Sequence, residues 1–405
     1  MAYFVTGATG FIGRHLVTEL LDHREGEVFV LVRPGSRARL DALLRRWGAD
    51  ERVVPVEGDL TRPRLGVSRA WIREQRGEID HFFHLAAIYD MTASDELNEA
   101  LNVGGTRAAL ELAGSLDVGT FHQVSSVAAS GDFHGTYDET MFDVGQSLPS
   151  PYHRTKFESE RIVREESTVP WRVYRPAVVV GHSETGEMDK VDGPYYFFPL
   201  FKRMRDNLPG WLPLVGVDLG DTNVVPVDYV ASAMDHLAHL PGHDGQAFHL
   251  VNPEPQPTTE VVNTLAGAAK APRFAVPVDR RVTGVLPTGL LPRALRPANL
   301  VSNLLHAAPV QLALRETIGR LGVPPEVLEH VSFPTTYASR ATERALAGSG
   351  ISVPDLESYA PTLWAHWEEH LDTDTARDRG LTEALGGKRV LITGASSGIG
   401  RVAAL

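Results

Sequence analysis

The stretch Thr6-Gly7-Ala8-Thr9-Gly10-Phe11-Ile12-Gly13 constrains this chain more than any other. It stands between an apolar run, Ala2 to Thr6, that reads as a buried strand, and Gly13 to Leu21, where apolar residues recur at helical spacing. In that context three glycines make a phosphate-binding turn: Gly7 permits the tight bend, Gly10 lets backbone approach a pyrophosphate, and Gly13 lets the helix pack close to the sheet. The helix N-terminus then faces the phosphate charge. Thr6, Gly7, Thr9, Gly10, Phe11, Ile12 and Gly13 are the candidate contacts of a dinucleotide.

Further apolar runs at Val28–Val32, Val53–Val56, His81–Leu85, Phe121–Val124 and Arg172–Tyr174 are separated by helix-length segments. This alternation predicts an α/β fold with a doubly wound (Rossmann) parallel sheet covered on both faces. Residues 1–255 read as the nucleotide-binding and catalytic domain, with substrate loops within 177–222, and residues 256–380 as a mainly helical substrate or lid subdomain. Residues 386–405 contain a second strand, glycine turn and helix start, KRVLITGASSGIG at 388–400, and end before the thirty or so residues that a βαβ unit needs. They read as the truncated start of a second module.

The formal charge of −12 over 405 residues argues against a nucleic-acid partner, because phosphate-backbone affinity needs clustered Lys and Arg. With no cysteine, disulfides and thiolate metal sites are excluded, which fits a reducing cytoplasm. His236 and His239 share a helix face without a third ligand at a recognisable spacing, so no metal centre is predicted. The start runs directly into a strand, and no stretch approaches the 18 or so apolar residues of a spanning helix. The expectation is a cytoplasmic protein, at most peripheral to a membrane, and an oligomer is compatible with it.

Where NAD-binding chains place an acid, about 20 residues past the glycines, this one has Arg33, followed by Ser36 and Arg37. A forked guanidinium suits a 2′-phosphate, so NADPH is the expected cofactor. Asp59 and Leu60 after the third strand, and Leu85, Ala86 and Ala87 after the fourth, lie at carboxyl ends of strands, where such sheets bind ligand.

Tyr152 and Lys156 open a predicted helix one turn apart on one face, and the cation is expected to lower the phenol's pKa toward general acid–base use. The hydroxyls of Ser125 and Ser126 end a strand, placed to hydrogen-bond a substrate carbonyl as charge develops on its oxygen.

Together TGATGFIG, GDL at 58–60, HLAA at 84–87, VSS at 124–126, YHRTK at 152–156, YRPAVVVG at 174–181 and NVVPVDYVA at 223–231 resemble the extended short-chain dehydrogenase/reductase superfamily over about residues 1–255. The resemblance implies hydride transfer between nicotinamide and a carbonyl. Ser126, five residues before Gly131, takes the place of the catalytic serine that polarises the oxygen. Tyr152 takes that of the proton donor, Lys156 that of the group tuning Tyr152 and holding the ribose, and Asn102 the position supporting a proton-relay water. It also places Ser125, Tyr152, Lys156, Pro176, Val178 and Val179 against the cofactor.

A narrower resemblance concerns the substrate. The order of modules, HSETGEMDKVDGPYYFF at 182–198 and YAPTLWAHWEEHLD at 359–372 look like bacterial two-module fatty acyl-CoA reductases. That implies a long-chain acyl or aldehyde substrate, with aldehyde-to-alcohol reduction left to this module and thioester reduction to the second. Tyr195, Tyr196, Phe197, Phe198 and Phe201 are candidate walls of an apolar tunnel, against the plainer reading of core packing. Val282–Leu300, with arginines at 280, 281, 293 and 296, suits a membrane surface or coenzyme A phosphates, and equally a lid on its own domain. The rival readings are a sugar-nucleotide epimerase or dehydratase, a terminal thioester reductase acting on carrier-bound acyl groups, and a non-catalytic NADPH-sensing scaffold.

Overall fold

In a computed structural model of the chain, the described residues are 1–48, 51–87, 95–188, 193–210, 214–215, 220–275 and 335–372. The Val282–Leu300 segment and the 388–400 glycine turn lie outside them.

Seven strands form one parallel sheet: β1 (Ala2–Thr6), β2 (Glu27–Val32), β3 (Val53–Glu57), β4 (His81–His84), β5 (Thr120–Val124), β6 (Trp171–Pro176) and β7 (Gln246–Leu250). Their order is β7-β6-β5-β4-β1-β2-β3, the doubly wound arrangement expected, extended by a seventh strand that the sequence reading does not include. The central strands read as near-continuous apolar runs because both faces are covered: Phe4, Val5, Phe82, Phe83 and Phe121 are all fully buried. Among the flanking helices are α1 (Phe11–His23), α2 (Arg37–Arg46), α3 (Gly105–Leu116) and α4 (Pro151–Glu166). The strand order reverses between β1 and β4, which opens the ligand crevice at their carboxyl ends.

A second hydrophobic core is assembled from distant stretches: α5 (Phe198–Asn207), α7 (Thr258–Ala268) and α9 (Leu356–His370). Between them in the chain, α6 (Val227–His239) and α8 (Arg340–Leu346) return to the main sheet. Stretches on both sides of residue 255 thus share this core. The aromatic run is the reason. Phe198 and Phe201 have no exposure, and the Phe198 ring packs 5.3 Å from Trp364 and 5.6 Å from Trp367. Arg205 adds an ion pair to Glu368 at 2.7 Å, and Lys202 one to Asp372.

The chain also reaches back from this lobe to the sheet domain. A short strand, Thr335–Tyr337, pairs in parallel with Gly135–Tyr137, and Glu139 accepts hydrogen bonds from Ala341 N, Thr342 N and His249 N.

Candidate active site

The glycine turn is built as its spacing predicts. Gly7 has φ +76°, and a Cβ there would lie 2.7 Å from Ala86 N, so only glycine lets β1 pass the end of β4. A Cβ on Gly13 would strike the Gly7 carbonyl. Gly10 caps α1 without a side chain, and its amide donates to Gly7 O at 2.9 Å. What remains is a bare backbone cradle at a helix N-terminus, the shape and charge a dinucleotide pyrophosphate requires. Below it Thr6 Oγ1 meets His84 Nδ1 at 2.8 Å and accepts from Ala86 N at 3.2 Å, tying β1 to the β4 end. Burial holds His84 down at about 3, so the floor of the cradle is neutral.

Arg33 directly follows β2, exposed, with Nε donating to Ser36 Oγ at 3.2 Å. Arg37 lies one turn on and is paired with Asp41 at 2.9 Å. Asp59 Oδ1 accepts from Thr61 N at 2.9 Å, and these hydrogen bonds, with Arg62 and Arg33 nearby, keep its carboxyl below the usual range. The partly buried Leu60 follows Asp59, and Leu85 and Ala86 are likewise partly buried beyond β4, with Ala87 exposed. Pro176 ends β6, and Val178 and Val179 pair with Val224 and Val225 just beyond it.

Helix α4 begins where Ser150 caps it, accepting from His153 N at 3.4 Å, and Pro151 fixes its first turn. Tyr152 is thereby set in that turn, hydrogen-bonded to Ser126. Ser126 leaves β5 in extended conformation and accepts from Ala128 N at 3.2 Å. Gly131 closes this loop at φ +56°, where a Cβ would meet Ser147 O. Lys156, buried, donates from Nζ to Val124 O at 3.2 Å and lies 6.0 Å from the Tyr152 ring centre. Asn102 sits in a π-helical turn, Glu99–Gly104, and its Nδ2 reaches Thr155 Oγ1 at 3.2 Å. Its carbonyl accepts from Ser159 Oγ at 3.0 Å, so it contacts both sides of the turn carrying Lys156.

Three expectations are corrected. Burial pushes the Tyr152 phenol up to about 12, with the Ser126 hydrogen bond opposing, where the sequence reading has Lys156 lowering it. Burial also brings Lys156 down to about 8, so in this environment desolvation outweighs the cation's pull. Ser125 does not face the crevice: its hydroxyl donates to Glu160 Oε2 at 2.9 Å, inside the protein. Tyr195, Phe197, Phe198 and Phe201 are core of the second lobe, at 2%, 7%, 0% and 0% exposure, with Tyr196 alone partly open. They fill space beside α9 where tunnel walls were expected.

The residues absent from the sequence reading are Glu160, Arg175 and Tyr337. Burial raises and Arg175 and Arg164 lower the Glu160 carboxyl, which ends near about 2. Tyr337 O–H lies 3.0 Å from Ser130 Oγ, bracing the Ser126 loop from the far end of the chain. A charge directly after the predicted strand Arg172–Tyr174, at Arg175, was the available signal; Tyr337 had none.

The family model described as "Male sterility protein" matches residues 5–234. Among solved structures, the terminal R domain from the myxalamid PKS-NRPS biosynthetic pathway superposes with TM-score 0.69 at 28% identity, covering 90% of each chain. UDP-glucuronic acid 4-epimerase from Bacillus cereus, at 16% identity and TM-score 0.59, shares the fold over 93% of this chain and 99% of that one. Of curated relatives, glycine betaine reductase ATRR of Emericella nidulans is 29% identical over 99% of this chain and 32% of its own length. Aldehyde reductase lnbA of Aspergillus flavus is 29% identical over 62% of this chain and 26% of its own. The chain thus spans a third or less of these relatives' length. With the match across the glycine turn, Ser126 and the Tyr152–Lys156 helix, the chain belongs to the male sterility protein family of extended short-chain dehydrogenases/reductases, NAD(P)-dependent oxidoreductases.

Proposed function

We propose that this chain uses NADPH to reduce the carbonyl of a long-chain acyl group, taking the aldehyde to the alcohol. The observation that carries the reading is the convergence of Ser126, Tyr152 and Lys156 beside the glycine cradle. NADPH, when bound, supplies the hydride. The chain's own groups manage the oxygen: the Ser126 hydroxyl hydrogen-bonds it as charge grows, and Tyr152 gives it a proton. A phenol held up at about 12 is in its acid form across the neutral range, which is the state a proton donor to an alkoxide needs. Lys156, charged below about 8 and one turn along α4 from Tyr152, is in this reading the group that holds the ribose hydroxyls. Arg33 with Ser36 supports the phosphorylated cofactor, since the exposed guanidinium and the partly buried hydroxyl lie together just past β2.

A second reading, entry as an acyl thioester, is favoured by the 28% identity to a terminal R domain. The glycine turn at 388–400 favours dividing the two reductions between two modules. The test is NADPH oxidation with a long-chain aldehyde in one cuvette and the matching acyl-CoA in another. Turnover of aldehyde alone supports the first reading, turnover of acyl-CoA moves thioester reduction into this chain, and turnover of neither overturns both.

A further inference from the structure

Helix α4 carries a stripe at four-residue spacing that reads onto three consecutive residues leaving β5. Tyr152 bonds Ser126, Lys156 bonds the carbonyl of Val124, and Glu160, one turn further on, takes the hydroxyl of Ser125. We propose that Glu160, locked by Arg175 and acting through Ser125, is the positioning residue that sets the register between Ser126 and Tyr152. The proposal rests on the reading of Ser126, Tyr152 and Lys156 as the reducing site.

The geometry makes Glu160 a fixed point rather than a filler. Glu160 and Arg175 have no exposed side-chain surface. Arg175 comes from β6, beside β5, and grips the carboxylate with two nitrogens, Nη2 to Oε1 at 2.6 Å and Nε to Oε2 at 3.0 Å. Arg164, one turn beyond on α4, donates to Oε1 at 2.9 Å. With Ser125 on Oε2 at 2.9 Å, the carboxylate accepts four hydrogen bonds, two on each oxygen. Arg175 is itself immobilised, Nη1 against His249 Nε2 at 3.1 Å on β7 and Nη2 donating to Met141 O at 2.9 Å. A bidentate pair of this kind fixes orientation as well as distance. The one Glu160 bond not spent on an arginine goes to the residue preceding Ser126 in the chain. Rotation or sliding of α4 would therefore have to break the Ser125 bond before Tyr152 could part from Ser126.

The test uses the chain in five forms: unaltered, Ser125→Ala, Glu160→Gln, the Ser125→Ala/Glu160→Gln double variant and Tyr152→Phe. NADPH affinity is read by quenching of protein fluorescence, and kcat and KM for the reducible substrate are referred to NADPH-binding sites. Ser125→Ala removes a hydroxyl that touches neither crevice nor cofactor cradle. Its expected result is a loss of kcat per binding site on the order of 10–100-fold, with NADPH affinity within about twofold, as displacement of a reacting group produces. A packing role alone would lower the amount of folded protein and leave kcat per site unchanged. Glu160→Gln is expected to show the same split, and adding Ser125→Ala to it to cost no more. Because Glu160→Gln leaves Arg175 without its partner and can fail to fold, Ser125→Ala carries the decision. If Tyr152→Phe is inactive and Ser125→Ala keeps full kcat per site, the positioning proposal is overturned and the reducing site stands. If Tyr152→Phe keeps full activity, the reducing site itself is overturned and the proposal with it.

Discussion

At the scale of single residues, the site's chemistry follows from which groups are dry. Lys156 is buried, and burial brings it down to about 8, so it is charged at neutral pH and loses its proton as pH rises through that value. The expectation is a kcat/KM profile flat near neutrality and falling above about pH 8, with the limb absent in Lys156→Arg; a profile level to pH 10 would contradict it. Arg33 supports a second expectation. Arg33→Asp replaces donors by a charge that repels the 2′-phosphate, so kcat/KM for NADPH should fall on the order of 10–100-fold, the worth of one bond to a charged group, with NADH much less affected. Equal losses with the two cofactors would place the phosphate elsewhere. Much of this was legible in the sequence because glycines, a tyrosine and a lysine at fixed spacings have few other reasons to coincide. The direction of the Tyr152 shift was not, since spacing shows the neighbouring cation but not how little water reaches the phenol. Ser125 was misjudged for a related reason: adjacent hydroxyls at the end of a strand point to opposite sides, and a string of letters does not say which side is the crevice.

At the scale of elements, the strands and helices of the sheet domain were readable because two periods, apolar runs and helical repeats, alternate cleanly from β1 to β6. The second lobe was not. Its helices come from widely separated stretches, Phe198 of α5 packing on Trp364 of α9, and no local period announces that pairing. The aromatic cluster therefore looked like a ligand wall. Trp367 is the test of its actual role. It is 2% exposed and edge-on to Phe198, so Trp367→Ala is expected to destabilise the fold by about 3–5 kcal/mol, read by denaturant unfolding. A change below about 1 kcal/mol, with altered substrate KM instead, would restore the tunnel reading.

For the whole molecule, the histidines set how it answers acid. His15 and His81 are held down at about 4, and His84 and His249 at about 3, burial being the first cause in each. His122 is lowered as well, by burial, with its ring nitrogens between His81 and Tyr174. All remain neutral when folded, whereas an unfolded chain protonates each near 6.5. The unfolded state therefore binds more protons below that value, and stability should decline as pH falls from about 6.5 toward 4. Urea midpoints taken at pH 7.5 and 5 would show it; equal midpoints would mean that these rings are not dry.

The lobe built from separated stretches also governs how the protein is made. As the chain is synthesised, Phe198 and Phe201 emerge long before Trp364 and Trp367 exist to cover them. The growing polypeptide carries a bare aromatic helix face through the addition of more than a hundred further residues, a state that favours aggregation or chaperone capture. A fragment ending after α7 would keep the glycine cradle, Ser126, Tyr152 and Lys156 in sequence while leaving Phe198 without Trp364 and Trp367. Expression of such a fragment should yield insoluble protein, and supplying residues 335–372 in trans is the experiment most suited to recovering it.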